Sequence, residues 1–122
     1  DFGGMVERSR GVADGMSKGV AFLLKKNKVD VIMGSGTVLP GKRVEVTAND
    51  KSTQVIEADN IIIATGARSR QLPSLPQDGK KIIGYREALI LKNQPKKMVV
   101  VGSGAIGVEF AYFYNAIGTD VT

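Results

Sequence analysis

The sequence predicts an α/β fold that opens with a long helix, passes through a small antiparallel meander and ends in a strand–turn–helix unit. Three stretches predict it. Lys97-Met98-Val99-Val100-Val101-Gly102-Ser103-Gly104-Ala105-Ile106-Gly107-Val108-Glu109-Phe110-Ala111 runs from an apolar segment through a glycine turn into a helical pattern. Asn60-Ile61-Ile62-Ile63-Ala64-Thr65-Gly66-Ala67 places three isoleucines ahead of small residues. Two short segments, 43–47 and 53–57, flank the turn cluster Ala48-Asn49-Asp50-Lys51-Ser52 and tend to alternate polar with apolar side chains. Continuous apolar runs suit parallel strands covered on both faces, whereas alternation suits antiparallel strands with one wet face.

The first helix is expected over residues 3–28. Met5, Val12, Met16, Val20, Leu23 and Leu24 recur on one face at helical spacing. Arg8, Arg10, Lys18, Lys25 and Lys26 lie mostly off that face, as a solvated surface. Lys25, Lys26 and Lys28 also suit the negative end of the helix dipole. Gly11, Gly15 and Gly19 recur every four residues, each costing about 1 kcal/mol against Ala in a helix. They fit either a close-packed neighbour or plain tolerance.

Val29-Asp30-Val31-Ile32-Met33 predicts a strand that ends in Gly34-Ser35-Gly36, and residues 43–47 and 53–57 predict the meander. The isoleucines of 61–63 suit a buried parallel strand. Ala64, Thr65 and Gly66 at its carboxyl end leave room for a ligand against the backbone, although a core strand running into a turn has the same pattern. Residues 71–79 hold two prolines and an Asp-Gly turn, which mark a linker and a domain boundary. Arg86 to Lys92 predicts a short helix closed by Asn93-Gln94-Pro95. A strand over 98–101, a helix over 105–117, Gly118 as its C-cap and a new strand from Thr119 complete the chain.

The glycine turn carries the chemistry. Between a strand and a helix, Gly102 permits the sharp turn, Gly104 lets a pyrophosphate reach the backbone and Gly107 lets helix and strand pack closely. The free N–H groups of the helix start then face the phosphates. The position roughly 20 residues past the glycines, which selects NAD or NADP, lies beyond Thr122, so that choice stays open.

Composition narrows the rest. The 122 residues contain no Cys and no His. Thiol chemistry, Cys/His zinc sites and histidine acid–base catalysis are thereby excluded within the chain, and neither a catalytic residue nor a metal site is expected in it. The net charge of +5 is spread over scattered lysines with few aromatics, which argues against nucleic acid. There is no leader pattern and no run near the ~18 apolar residues of a membrane span, so a soluble, cytoplasmic protein is expected.

The order of these parts resembles the flavin-dependent pyridine nucleotide–disulfide oxidoreductases. Three pieces carry the resemblance: residues 19–38 (GVAFLLKKNKVDVIMGSGTV), 58–67 (ADNIIIATGA) and 102–122 (GSGAIGVEFAYFYNAIGTDVT). Within that family the wording is most similar to the dihydrolipoamide-oxidising branch. The resemblance implies a partial FAD-binding domain with its antiparallel meander, then the first βα unit of a Rossmann-like NAD-binding domain. Residues 1–70 would be the C-terminal part of the FAD domain, 71–96 the crossover and 97–122 the start of the NAD domain. Gly36 would meet the adenosine of FAD, and Thr65, Gly66 and Ala67 would border its phosphates. Gly102, Ser103, Gly104, Ala105, Ile106, Gly107, Val108 and Glu109 would form the NAD site. Ile106 would lie near the nicotinamide, and Glu109 would pair with a lysine close to the flavin.

The same resemblance implies a homodimeric parent enzyme that oxidises dihydrolipoamide on a 2-oxo acid dehydrogenase complex and passes electrons through FAD to NAD. The family's first glycine motif, its Cys-x4-Cys segment and its C-terminal interface domain with a His–Glu base have no counterpart here. The chain therefore reads as the middle of such an enzyme, inactive alone. Two other readings stay open: another FAD/NAD(P) enzyme of the NADH oxidase, glutathione reductase or mercury reductase type, and a non-catalytic dinucleotide-binding module.

Overall fold

The computed structural model describes residues 1–122, which form two compact units: residues 1–14 with 69–122, and residues 15–68. The element order is α1 (Phe2–Lys26), β1 (Gly34–Leu39), β2 (Arg43–Ala48), β3 (Thr53–Glu57), α2 (Tyr85–Ala88), β4 (Lys97–Met98), α3 (Ala105–Ala116) and β5 (Asp120–Val121). The architecture is α/β, with a three-stranded antiparallel sheet and a separate parallel pair.

α1 starts at Asp1, whose Oδ1 accepts the Gly3 N–H at 3.1 Å as an N-cap does. It stops in a Schellman turn: the Val29 N–H donates to the Leu24 carbonyl and the Lys28 N–H to the Lys25 carbonyl. Lys28 sits at the left-handed position of that turn with φ +55°. α3 ends in the same way, where the Thr119 N–H donates to the Tyr114 carbonyl and the Gly118 N–H to that of Asn115. Here the left-handed residue is Gly118, φ +96°, which adopts the angle without a Cβ penalty.

In the unit of residues 15–68, β2 is the central strand of the meander. Gly34 faces Ala48 and Leu39 faces Arg43 on one side, while Arg43 faces Glu57 and Thr47 faces Thr53 on the other. Val46 is its one buried apolar side chain. The β2–β3 connection, residues 49–52, holds Lys51 at φ +68°. Asp50 Oδ1 accepts from both the N–H and the hydroxyl of Ser52, at 3.0 and 2.6 Å, and these bonds hold the Asp50 carboxyl below its ordinary range.

In the other unit, β4 and β5 pair in parallel, with Lys97 opposite Asp120 and Met98 opposite Val121. The Val100 N–H extends the pairing to the Thr122 carbonyl at 2.8 Å. Tyr114 of α3 is fully buried, and its ring packs on those of Phe2, Phe110 and Phe113 at centroid distances of 6.2, 6.3 and 5.2 Å. Asp78 ties the linker: its Oδ1 accepts the N–H groups of Lys80, Lys81 and Ile82 at 2.8–2.9 Å.

Several expectations need correction. Residues 29–33 form no strand; the first ladder begins at Gly34, so Gly34-Ser35-Gly36 opens β1 instead of ending a strand. Residues 60–67 lie outside every ladder, with Ile62 and Ile63 at 89% and 71% exposure instead of buried. The apolar run before the glycine turn pairs on one edge only, and Val99 and Val101 face solvent. The reason is common to all three: both-face burial needs strands and helices on each side, and these 122 residues supply too few. The Cβ positions of Gly11, Gly15 and Gly19 likewise meet nothing. The exposed surface is 10474 Å², against about 6,300 Å² for a compact chain of this mass. The short helix forms over Tyr85–Ala88, earlier than expected, because the Glu87 carboxylate accepts the Gly84 N–H at 2.9 Å and fixes its start there.

Candidate functional site

The sequence-predicted site residues from Gly102 to Glu109 form one continuous stretch, the glycine turn between β4 and α3 and the first turns of α3. Gly102 has φ +120°, an angle that only glycine adopts without strain. A Cβ on Gly107 would stand 2.5 Å from the Gly102 carbonyl oxygen and 3.5 Å from Val100 Cγ1. The chain itself therefore demands the first and third glycines, one for the turn and one for the contact of helix with strand.

Gly104 differs. It is the N-cap of α3, at φ −72° and ψ 166°, a backbone open to any residue. A Cβ there would meet nothing within 4 Å. No internal contact explains a glycine at this position, the N-cap of α3. The first intrahelical bond of α3 runs from the Val108 N–H to the Gly104 carbonyl at 3.1 Å. The N–H groups of Ala105, Ile106 and Gly107 precede that bond and have no intrahelical acceptor. No side chain caps them and no acid stands in the first turn. Three donors and the positive end of a twelve-residue helix thus converge on open space.

Ser103 and Ala105 are exposed beside this end, and Val108 is 55% exposed on the first turns of α3. Ile106 and Glu109 turn toward a groove of about 430 Å³, which they share with Tyr85 and Leu89. Glu109 is exposed and joins no ion pair within the chain.

The remaining expected residues, Gly36, Thr65, Gly66 and Ala67, belong to the unit of residues 15–68. Gly36 lies in β1 opposite Val46, where a Cβ would make only an ordinary 3.5 Å contact with Val44. Thr65, Gly66 and Ala67 are all exposed and lie outside every helix and strand, with Gly66 at φ +77°. Sequence reasoning missed Tyr114. An aromatic four residues after Phe110 reads as core, and nothing in the sequence reveals that its hydroxyl donates to the Ala88 carbonyl at 2.6 Å. Burial pushes the Tyr114 phenol up from its ordinary value.

Comparison with known proteins agrees with this geometry. The model of the pyridine nucleotide-disulphide oxidoreductase family matches residues 3–122. A dihydrolipoyl dehydrogenase of Chlorobaculum parvum is 55% identical over all of this chain and 26% of its own length. One from Zymomonas mobilis is 47% identical over the same shares. The crystal structure of LpdA from Mycobacterium tuberculosis superposes with a TM-score of 0.90 at 34% identity, covering 98% of this chain and 27% of LpdA. The chain spans about a quarter of the length of the curated relatives it matches.

Proposed function

The chain belongs to the pyridine nucleotide-disulphide oxidoreductase family, and from that premise we propose that it is a central segment of an enzyme that oxidises dihydrolipoamide and reduces NAD through FAD. The observation that carries this reading is Gly104: an open N-cap, unexplained by internal packing, at the uncapped start of α3. It fits a dinucleotide pyrophosphate, which needs bare backbone and N–H donors.

The reading assigns residues 97–122 to the start of the NAD-binding domain, 71–96 to the crossover and 1–70 to the FAD-binding domain. Residues Gly102 to Glu109 would hold NAD: Ala105, Ile106 and Gly107 donate N–H groups to its phosphates, Ile106 borders the nicotinamide, and Glu109 offers its carboxylate to a lysine near the flavin. Gly36, Thr65, Gly66 and Ala67 would hold FAD by backbone. Their fit rests on small, exposed residues and on Gly66, whose left-handed angle excludes bulkier ones. Bound FAD supplies the two-electron relay from dithiol to NAD, and the protein supplies binding and orientation. Because the 122 residues hold no Cys and no His, they contribute binding and not thiol or proton chemistry, and alone they are inactive. The substrate is dihydrolipoamide on a cytoplasmic 2-oxo acid dehydrogenase complex, and the working enzyme is a homodimer.

The test is reduction of NAD by the natural protein with dihydrolipoamide as electron donor. NADH formation with dihydrolipoamide and none with glutathione is the expected result. A protein that instead reduces oxidised glutathione belongs to the glutathione reductase type, and one that binds NADH without turning over any disulfide is a binding module.

A further inference from the structure

α2 is four residues long, and a helix of one turn does not hold itself in water. Its own bonds are local, from the N–H of Ala88 to Gly84 and of Leu89 to Tyr85. A bond from outside the helix reaches its end: the hydroxyl of Tyr114 donates to the Ala88 carbonyl at 2.6 Å. That carbonyl is one of those a helix end leaves without an intrahelical partner. Two further bonds fasten the following residues to the end of α3. Gln94 Nε2 donates to the Ile117 carbonyl and Thr119 Oγ1 to the Pro95 carbonyl, each at 2.8 Å. A phenylalanine would keep the ring contacts of Tyr114 with Phe2, Phe110 and Phe113, so the bond to α2 is what the hydroxyl adds.

We propose that Tyr114 is a positioning residue: its hydroxyl latches α2 onto α3 and so fixes the groove that Tyr85 and Leu89 share with Ile106 and Glu109. The latch itself rests on geometry alone. Its consequence for the nucleotide rests on the dinucleotide reading of α3, because Ile106 and Glu109 belong to that site. In this arrangement residues 85–95 are held to the glycine-turn unit by side-chain bonds to α3 and its end.

The experiment compares the natural protein with Tyr114→Phe by amide hydrogen exchange and by NADH titration, with Thr119→Val as the control that loosens Pro95 but leaves Ala88 paired. One lost hydrogen bond with a half-buried carbonyl left behind predicts roughly tenfold faster exchange at residues 88–91 in Tyr114→Phe. Exchange in β2 and β3 stays as in the parent, NADH binds roughly three- to tenfold more weakly, and Thr119→Val leaves exchange at 88–91 unchanged. Unaltered exchange at 88–91 in Tyr114→Phe, or equal acceleration in both variants, overturns the latch. Faster exchange with unaltered NADH affinity overturns the positioning role. A parent protein that binds no NADH removes the dinucleotide reading and with it the positioning role, while exchange still decides the latch.

Discussion

Replacing Gly104 by Ala separates what the ligand needs from what the fold needs. The backbone at Gly104, φ −72° and ψ 166°, accepts any residue, and the new methyl meets no atom within 4 Å. Alanine is a poorer N-cap than glycine by about 0.5–1 kcal/mol. It also restricts the unfolded chain, which returns about 0.4–1 kcal/mol. Stability should therefore change little. Binding should not: under the dinucleotide reading the methyl would stand where the pyrophosphate meets the helix end. Losing one charge-assisted bond costs about 1.5–3 kcal/mol, or roughly ten- to a hundredfold in affinity. Gly107→Ala should show the converse. Its methyl would lie 2.5 Å from the Gly102 carbonyl oxygen, an overpacking of about 1–3 kcal/mol, offset by about 1 kcal/mol of helix propensity. It should lower stability by up to about 2 kcal/mol. Thermal unfolding and NADH fluorescence titration of both variants in the natural protein provide the assay. A Gly104→Ala protein that binds NADH as the parent does would refute the reasoning, since the glycine would then serve neither packing nor ligand.

Other substitutions probe the frame around the site. Lys28→Gly should raise stability by about 1 kcal/mol, because it relieves a left-handed residue with a side chain at φ +55°; a melting temperature that falls would contradict the Schellman assignment. Asp78 accepts three backbone N–H bonds, first among them those of Lys80 and Ile82, and these hold its carboxyl below the ordinary aspartate range. A lowered folded value means that the linker turn is fully held above about pH 4, the unfolded value, and loosens as pH falls through the lowered one. Amide exchange at residues 80–82, corrected for its intrinsic pH dependence, should speed up in that acid window, and Asp78→Ala should abolish the transition. The 122 residues expressed alone should self-associate through exposed apolar segments, and Ile62→Lys with Val99→Lys should reduce the sedimenting mass; a parent chain that sediments as a monomer would show that the exposed strands find no partner.

The sequence was legible where structure is local. α1, the second and third strands of the meander, α3 and the Gly118 cap follow from periodicity, alternation and glycine placement, all set within a few residues of each other. It misled where structure is long-range. The run from Ile61 to Ile63 has the composition of a central parallel strand, but a strand exists only when a neighbour supplies its hydrogen bonds. No segment of these 122 residues supplies them. Val29 to Met33 failed for the same reason. The roles of Gly102 and Gly107 could be read from the motif, since turn and close packing arise inside one βα unit. The Tyr114 bond to Ala88 could not, because it spans 26 residues and depends on where a side chain ends in space.

The unpaired apolar segments and the open glycine belong to one physical argument. The chain exposes about 4,000 Å² more surface than a compact protein of its mass. Part of that excess lies on residues whose composition is that of a buried strand: Ile62, Ile63, Val99 and Val101, each more than 60% exposed. Relatives that match it end to end are about four times longer. A sequence patterned for burial on both faces keeps that pattern only where other elements cover it, and under the proposed function those elements would be the other parts of an enzyme as long as these relatives. Gly104 stands apart from this set. The unpaired segments are large and apolar, whereas the position proposed for a nucleotide is bare backbone with donors exposed. Apolar side chains and bare backbone thus make two chemically different kinds of open surface, and only the second has the donors that the proposed phosphate contact needs.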